Sequence, residues 1–367
     1  MQSFEICREM AMLVIVAGID KELVLGALLL LLYLQSGLVM AGLPPTDRPA
    51  VYGFDHLDHA SAHGLNYGFY KDTCPEAEAI ICSTVREFYW RDPSIAAGLL
   101  RMLFHDCFVQ GCDASLLLVS TPGRVCERDA IPNANSLRGF EAIFSAKQKL
   151  EQICPRTVSC ADILALSARE SVLLAGGPYF PLATGRRDGL TSIAKLAEVN
   201  LPNPFDNITA LISSFTRRGF EVADMVALLG AHSIGHSHCR FFRSRLYNFS
   251  GTGFPDPTIN KQYLELLRKV CPCCNSPSVD ATMSLDLGSE NRFDSSYFRN
   301  LEEGKGVLRV DQELVTSNVF VASIVGEYSI DENAFFQQFA KAMMKLSNMD
   351  VLTGYKGEIR RDCSFVS

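Results

Sequence analysis

The chain has no surplus of basic charge. Its 34 Lys and Arg stand against 41 Asp and Glu, giving a net charge of −7 and a pI near 5.6. That balance disfavours a nucleic-acid partner. Long apolar runs are also missing: Leu23–Leu34 spans twelve residues, short for a bilayer-spanning helix and suited to the core of a signal peptide. Long alternating strand runs are scarce, which argues against a sandwich or barrel and for a mostly α protein with short hairpins at most. No repeat of fixed period is found.

What is present points to an oxidising compartment. Thirteen cysteines are spread over 367 residues, enough chain for a large core. Two sequons begin at Asn207 and Asn248. Val39–Ala41 is an acceptable cleavage site, so residues 1–41 read as a signal peptide. The leader before Leu23 is long and carries more acid than base, which leaves a signal anchor as the alternative. Residues 42–65 read as a flexible lead, with His56, His59 and His63 solvated.

The most informative stretch is Arg101–Ser115. It leaves an apolar segment, Ser94–His105, that follows Pro93 and reads as a helix with Ser94 as its N-cap. Residues four apart share a helical face, so Arg101 and His105 project together. Asp106, Asp113 and Ser115 follow, with Gly111 for a turn and Cys107 and Cys112 near one another. Further helices are expected over Glu76–Arg91, Ser136–Gln152, Ala161–Ala175, Ile208–Arg218, Val222–Leu229, Arg240–Tyr247, Lys261–Val270, Ser295–Asn300 and Ala334–Ser347.

A second constellation is His232, His236 and His238 after an apolar helix. Three His in seven residues invite a zinc reading, but no companion Cys-x-x-Cys pair is positioned beside them. His232 is expected to be buried, His236 and His238 exposed. Leu285–Asp294 supplies spaced oxygens with a glycine for the bend, as a calcium loop does, or as acidic turns at a helix N-terminus do. Asp311 is expected at the end of a short apolar strand or turn.

Taken in order, Leu100–Ser115, Asn133–Phe140, Val158–Asp162, Gly185–Asp188, Leu228–Gly235 and Val310–Leu314 resemble the motifs of the plant secretory (class III) haem peroxidases. The resemblance covers about residues 66–367. It implies the mostly α haem peroxidase fold, two helical domains sandwiching haem b, with a distal half near 66–200 and a proximal half near 201–367. It implies reduction of hydrogen peroxide with one-electron oxidation of two small phenolic donors. Roles in wall phenol or lignin oxidation, peroxide removal and oxidative stress follow from it.

The resemblance also assigns residues. His232 matches the proximal iron ligand and Asp311 the carboxylate behind it. Arg101, Phe104 and His105 match the distal pocket, Asn133 the group that orients His105, and Pro202 a donor-contact residue. Asp106, Val109, Gly111, Asp113 and Ser115, with Glu127 through water, match a distal calcium site. Ser233, Asp286, Ser289, Arg292 and Asp294 match a proximal one, with Ser at 233 and 289 where the family usually has Thr. Disulfides are implied for Cys74–Cys154, Cys107–Cys112, Cys160–Cys363 and Cys239–Cys271. Cys7, Cys82, Cys126, Cys273 and Cys274 stay unassigned, Cys82 being expected as a buried thiol. Phe180 stands where the family commonly carries its Trp, whereas Trp90 is this chain's one Trp. A monomer is expected, secreted to the wall or apoplast rather than the vacuole because only four residues follow Cys363. No membrane partner is expected unless the leader stays uncleaved.

Overall fold

Helices dominate because apolar residues recur at helical spacing in segments bounded by Pro, Gly and Asx or Ser caps. The computed structural model describes residues 64–273 and 281–367, all within one compact unit. The leader, residues 42–63, Cys7 and Cys274 lie outside the described residues. Thirteen α-helices occur among the described residues. The first four are α1 (Ala77–Arg91), α2 (Ile95–Gln110), α3 (Phe140–Ile153) and α4 (Cys160–Leu174). Then come α5 (Ala194–Asn200), α6 (Ile208–Thr216), α7 (Val222–Leu229), α8 (Arg243–Tyr247) and α9 (Lys261–Val270). The last are α10 (Ser296–Glu302), α11 (Arg309–Thr316), α12 (Val319–Ile330) and α13 (Glu332–Ser347). The short strands β1 (His236–His238) and β2 (Thr282–Ser284) pair antiparallel, His236 opposite Ser284.

Helix α4 is the spine of the first half. Every residue from Cys160 to Val172 is buried, as befits a helix packed on all sides. Ser159 caps it by accepting from the Asp162 amide. Helices α1, α2 and α3 pack around α4, while α13 packs on both α7 and α2 and joins the two halves in one apolar core. The buried carboxylate of Asp162 is satisfied by Arg186 at 2.7 Å, the Tyr70 hydroxyl and the Gly185 amide.

Several expectations change. Ser94 precedes α2 but does not cap it. Its hydroxyl donates to Asp92 and accepts from Arg138 instead. Helix α2 runs five residues past His105, to Gln110, because Phe108 and Val109 continue its buried face. Gly111 stops it at φ 107°, where a Cβ would meet the Asp350 carbonyl at 2.5 Å. Helix α3 begins at Phe140 rather than Ser136, because residues 133–138 turn beneath Arg101 and Gly139 takes a left-handed conformation. Asp311 sits in the first turn of α11, not at the end of a strand or turn. Helices α5 and α12 were not anticipated.

Candidate active site

On α2, Arg101, Phe104 and His105 are half-buried while Met102, Leu103 and Asp106–Val109 are buried. Their i, i+3, i+4 spacing puts them on one face, which is packed less tightly than the rest of the helix. Phe104 is fixed by stacking on Phe108, ring centroids 4.6 Å apart, with Phe215 and Phe220 behind. His105 Nδ1 lies 2.5 Å from Asn133 Oδ1, and Asn133 Nδ2 donates to the Glu127 carbonyl at 2.7 Å. A carbonyl only accepts, so that second bond fixes which way the Asn133 amide points. Its oxygen then faces His105, Nδ1 carries the hydrogen, and Nε2 is left as the free base.

Burial first, then the Arg101 charge and the nearby His232, hold the His105 pKa well below the ordinary imidazole value. Arg101 donates to the Pro132 carbonyl at 2.9 Å and to the Ser136 carbonyl and hydroxyl. None of these partners is a carboxylate, so the charge is not neutralised there. Burial and the neighbouring Arg240 bring its pKa down to about 10, still cationic at neutral pH.

The facing side comes from the turn after α7. Gly230–Ser233 forms a short 3-10 turn that carries His232. His232 Nδ1 lies 2.9 Å from Asp311 Oδ1, and Asp311 is fully buried. Nδ1 therefore donates, and the other ring nitrogen lies away from Asp311. The expectation of a buried His232 needs correction: its side chain is 32% exposed, although Asp311 holds one ring nitrogen and Tyr297 lies edge-on to the ring. His238 is half-buried rather than exposed, since β1 pairs with β2. His236 is exposed as expected. A Cβ on Gly235 would lie 2.8 Å from the Ala97 methyl, so this segment abuts α2 directly.

Next to the base lies a cluster of oxygens. Asp106, fully buried, accepts from the Ala114 and Leu116 amides, and Asp113 accepts from the Ser115 amide. The Ser115 hydroxyl and both Glu127 carboxylate oxygens are buried without a hydrogen-bond partner. Ser115 and Ser192 lie near Glu127, but the bond formed is from the Glu127 amide to Ser192. Burial and mutual repulsion raise Asp106 well above the carboxylate range and Glu127 to about 7; burial also raises Asp113. Crowded carboxylates beside unsatisfied oxygens suit a hard cation.

A second cluster lies between β2 and α10. Asp286 accepts from the hydroxyls of Ser289 at 2.6 Å and Ser296 at 2.8 Å, and from Asn300 at 2.5 Å. Asp294 accepts from the Ser296 amide and competes with Asp286 for the single Ser296 hydroxyl hydrogen. The buried Ser233 hydroxyl has no partner. Arg292 keeps its side chain in solvent, its Nε 3.5 Å from Asp294. Ser296 and Asn300 were missed in the sequence because only the fold returns α10 onto Asp286. Among the described residues no three His, Cys, Asp or Glu side chains converge as a metal site on their own, so each oxygen set depends on hydroxyls and carbonyls.

The implied disulfides all form: Cys74–Cys154, Cys107–Cys112, Cys160–Cys363 and Cys239–Cys271. Cys126 is buried, Cys273 exposed, and Cys82 only half-buried, because the outer edge of α1 reaches solvent. Phe180 is fully buried, Pro202 half-buried, and both sequon asparagines are exposed. No helix among the described residues is long and apolar enough to cross a membrane.

With this geometry in view, residues 81–331 match the family model described as Peroxidase. The chain is 46% identical over 314 residues to Peroxidase 37 of Arabidopsis thaliana, covering 85% of this chain and 89% of that one. It is 46% identical over 301 residues to Peroxidase 9 of the same plant, covering 82% and 86%. To Peroxidase 15 of Ipomoea batatas it is 44% identical over 326 residues, covering 88% and 99%. The family model and these relatives show a peroxidase, and the chain belongs to the peroxidase family, among the class III plant peroxidases.

Proposed function

We propose that haem b binds between the Arg101–His105 face of α2 and the His232 turn, with His232 as the iron ligand. The observation that carries this is the opposition of two imidazoles, each fixed through Nδ1 by a different acceptor, Asn133 on one side and Asp311 on the other. The haem would supply the iron centre at which peroxide is reduced and donors are oxidised. The neutral His105 takes a proton from hydrogen peroxide at Nε2 and delivers it to the departing oxygen. Arg101 stabilises the negative charge that develops as the O–O bond breaks. Asp311 accepts from His232 and raises the basicity of its metal-facing nitrogen. Each turnover consumes one hydrogen peroxide and two donor molecules, yielding two waters and two donor radicals.

Two calcium ions complete the reading. Asp106, Val109, Gly111, Asp113 and Ser115, helped by Glu127, would hold one through carboxylate, hydroxyl and carbonyl oxygens. Ser233, Asp286, Ser289, Arg292 and Asp294 would hold the other. The unsatisfied buried oxygens of Ser115, Glu127 and Ser233 support both assignments. Small phenols are the proposed donors, reaching the site past Pro202. Four disulfides and two exposed sequons support secretion. Refolding with haem and calcium tests the whole reading: a Soret band with peroxide-dependent phenol oxidation is expected. Absence of the band would sink the haem assignment.

A further inference from the structure

Asp311 receives two hydrogen bonds on one oxygen. His232 Nδ1 at 2.9 Å and the Tyr297 hydroxyl at 3.0 Å both reach Oδ1, while Oδ2, equally buried, has no partner. Tyr297 is itself buried in the first turn of α10, its ring edge-on to the His232 imidazole at 6.2 Å between centroids. The shared oxygen cannot readily move away from either donor. Asp311 lies in the first turn of α11, and the chain entering α11 is pinned by buried Arg245, which donates to the Gly306, Val307 and Leu308 carbonyls and pairs with Asp256 at 2.9 Å.

A hydrogen bond into a carboxylate oxygen withdraws electron density from it, so the same oxygen accepts less strongly from its second donor. The strength with which an acceptor holds one imidazole nitrogen sets the basicity of the other. We propose that Tyr297 is a positioning residue that moderates the proximal pair. By sharing Oδ1 it limits the pull of Asp311 on the Nδ1 hydrogen, and so limits electron donation from His232 to the iron. This rests on the reading of His232 as the iron ligand. The phenol thereby becomes part of what sets the redox level of the site, although it touches neither peroxide nor donor.

The test is Tyr297→Phe in the haem- and calcium-loaded protein, which removes one hydroxyl and keeps the ring. Resonance Raman of the ferrous state should place the iron–imidazole stretching band at higher frequency than in the unaltered protein. The ferric/ferrous midpoint potential should become more negative. Asp311→Asn should move both readings the opposite way. Replacing Tyr297 by 3-fluorotyrosine, a stronger donor of nearly the same size, should also lower the frequency and remains available if the Phe variant folds poorly. An unchanged band and potential in a Tyr297→Phe protein with native thermal midpoint and haem content would overturn the proposal while leaving His232 as ligand. Absence of any iron–imidazole band in the unaltered protein would overturn the ligand reading and this inference together.

Discussion

Asn133 Oδ1 stands 2.5 Å from His105 Nδ1, and its own amide nitrogen is tied to the Glu127 carbonyl. One neutral side chain therefore fixes the tautomer of the base and connects it to the calcium-type oxygen cluster. Replacing it by Asp keeps an acceptor but adds negative charge. Asn133→Asp is expected to raise the His105 pKa and to carry the acid limb of the peroxide reaction upward in pH. Asn133→Val removes the acceptor and should slow that reaction roughly 10- to 100-fold, as loss of imidazole-orienting partners does elsewhere. Stopped-flow rates across pH check both; an acid limb unmoved in Asn133→Asp would contradict the assignment.

The unaltered protein has its own pH signature. Burial, Arg101 and His232 hold His105 well below 6.5, so it stays neutral as pH falls through the usual imidazole range. The rate of reaction with peroxide should be flat from neutral pH through that range and drop only at more acidic pH. Stability follows the same sign. The unfolded imidazole takes up a proton near 6.5 before the folded one, so this group favours unfolding as pH falls below 6.5. A rate that halves near pH 6.5 would argue that His105 is not the group required neutral.

Calcium removal should reverse the pH dependence of stability. Without a cation, Glu127 is raised from 4.5 to about 7, and Asp106 and Asp113 are raised as well. A carboxylate raised in the folded state loses stability as pH rises from its unfolded value through its folded one. Chelator-treated protein should therefore show a melting temperature that falls between pH 4.5 and about 7, and added calcium should abolish the fall. Equal slopes with and without calcium would contradict the cluster's role.

The buried Arg186–Asp162 pair offers a test of the fold alone. Both side chains are fully enclosed, and Asp162 also serves Tyr70 and the Gly185 amide. Asp162→Ala strands a buried guanidinium and should cost about 3–5 kcal/mol, read from denaturant midpoints. A loss near zero would show that the Ser347 and Ala183 carbonyls satisfy Arg186 without it.

The distal stretch was legible because its chemistry is local. Arg101, Phe104, His105 and Asp106 lie on one helix, whose period alone separates the half-buried face from the buried one. Asp311 was harder. Val307, Leu308 and Val310 are apolar and partly β-branched, and read as a short strand or turn, whereas the Arg309–Glu313 pair at 2.7 Å belongs to a helix. Helix α12 was missed because its apolar residues, Val319, Phe320 and Ile330 among them, follow no helical period and several face solvent. Ser296, Asn300 and Tyr297 gave no signal at all. Their partners, Asp286 and Asp311, lie 10 to 14 residues away and are met only after the chain folds back. The calcium-type loops fell between, since spaced acids are visible in sequence while unsatisfied hydroxyls at Ser115 and Ser233 are not.

His105 is the proposed base for peroxide cleavage, and His232 the proposed iron ligand. The most direct measurement is the second-order rate of reaction with hydrogen peroxide for the haem-loaded protein and for His105→Ala, by stopped flow at neutral pH. Haem content should be equal in the two, and the rate should fall about 10²- to 10⁴-fold in the variant. Equal rates at equal haem content would contradict the assignment of His105.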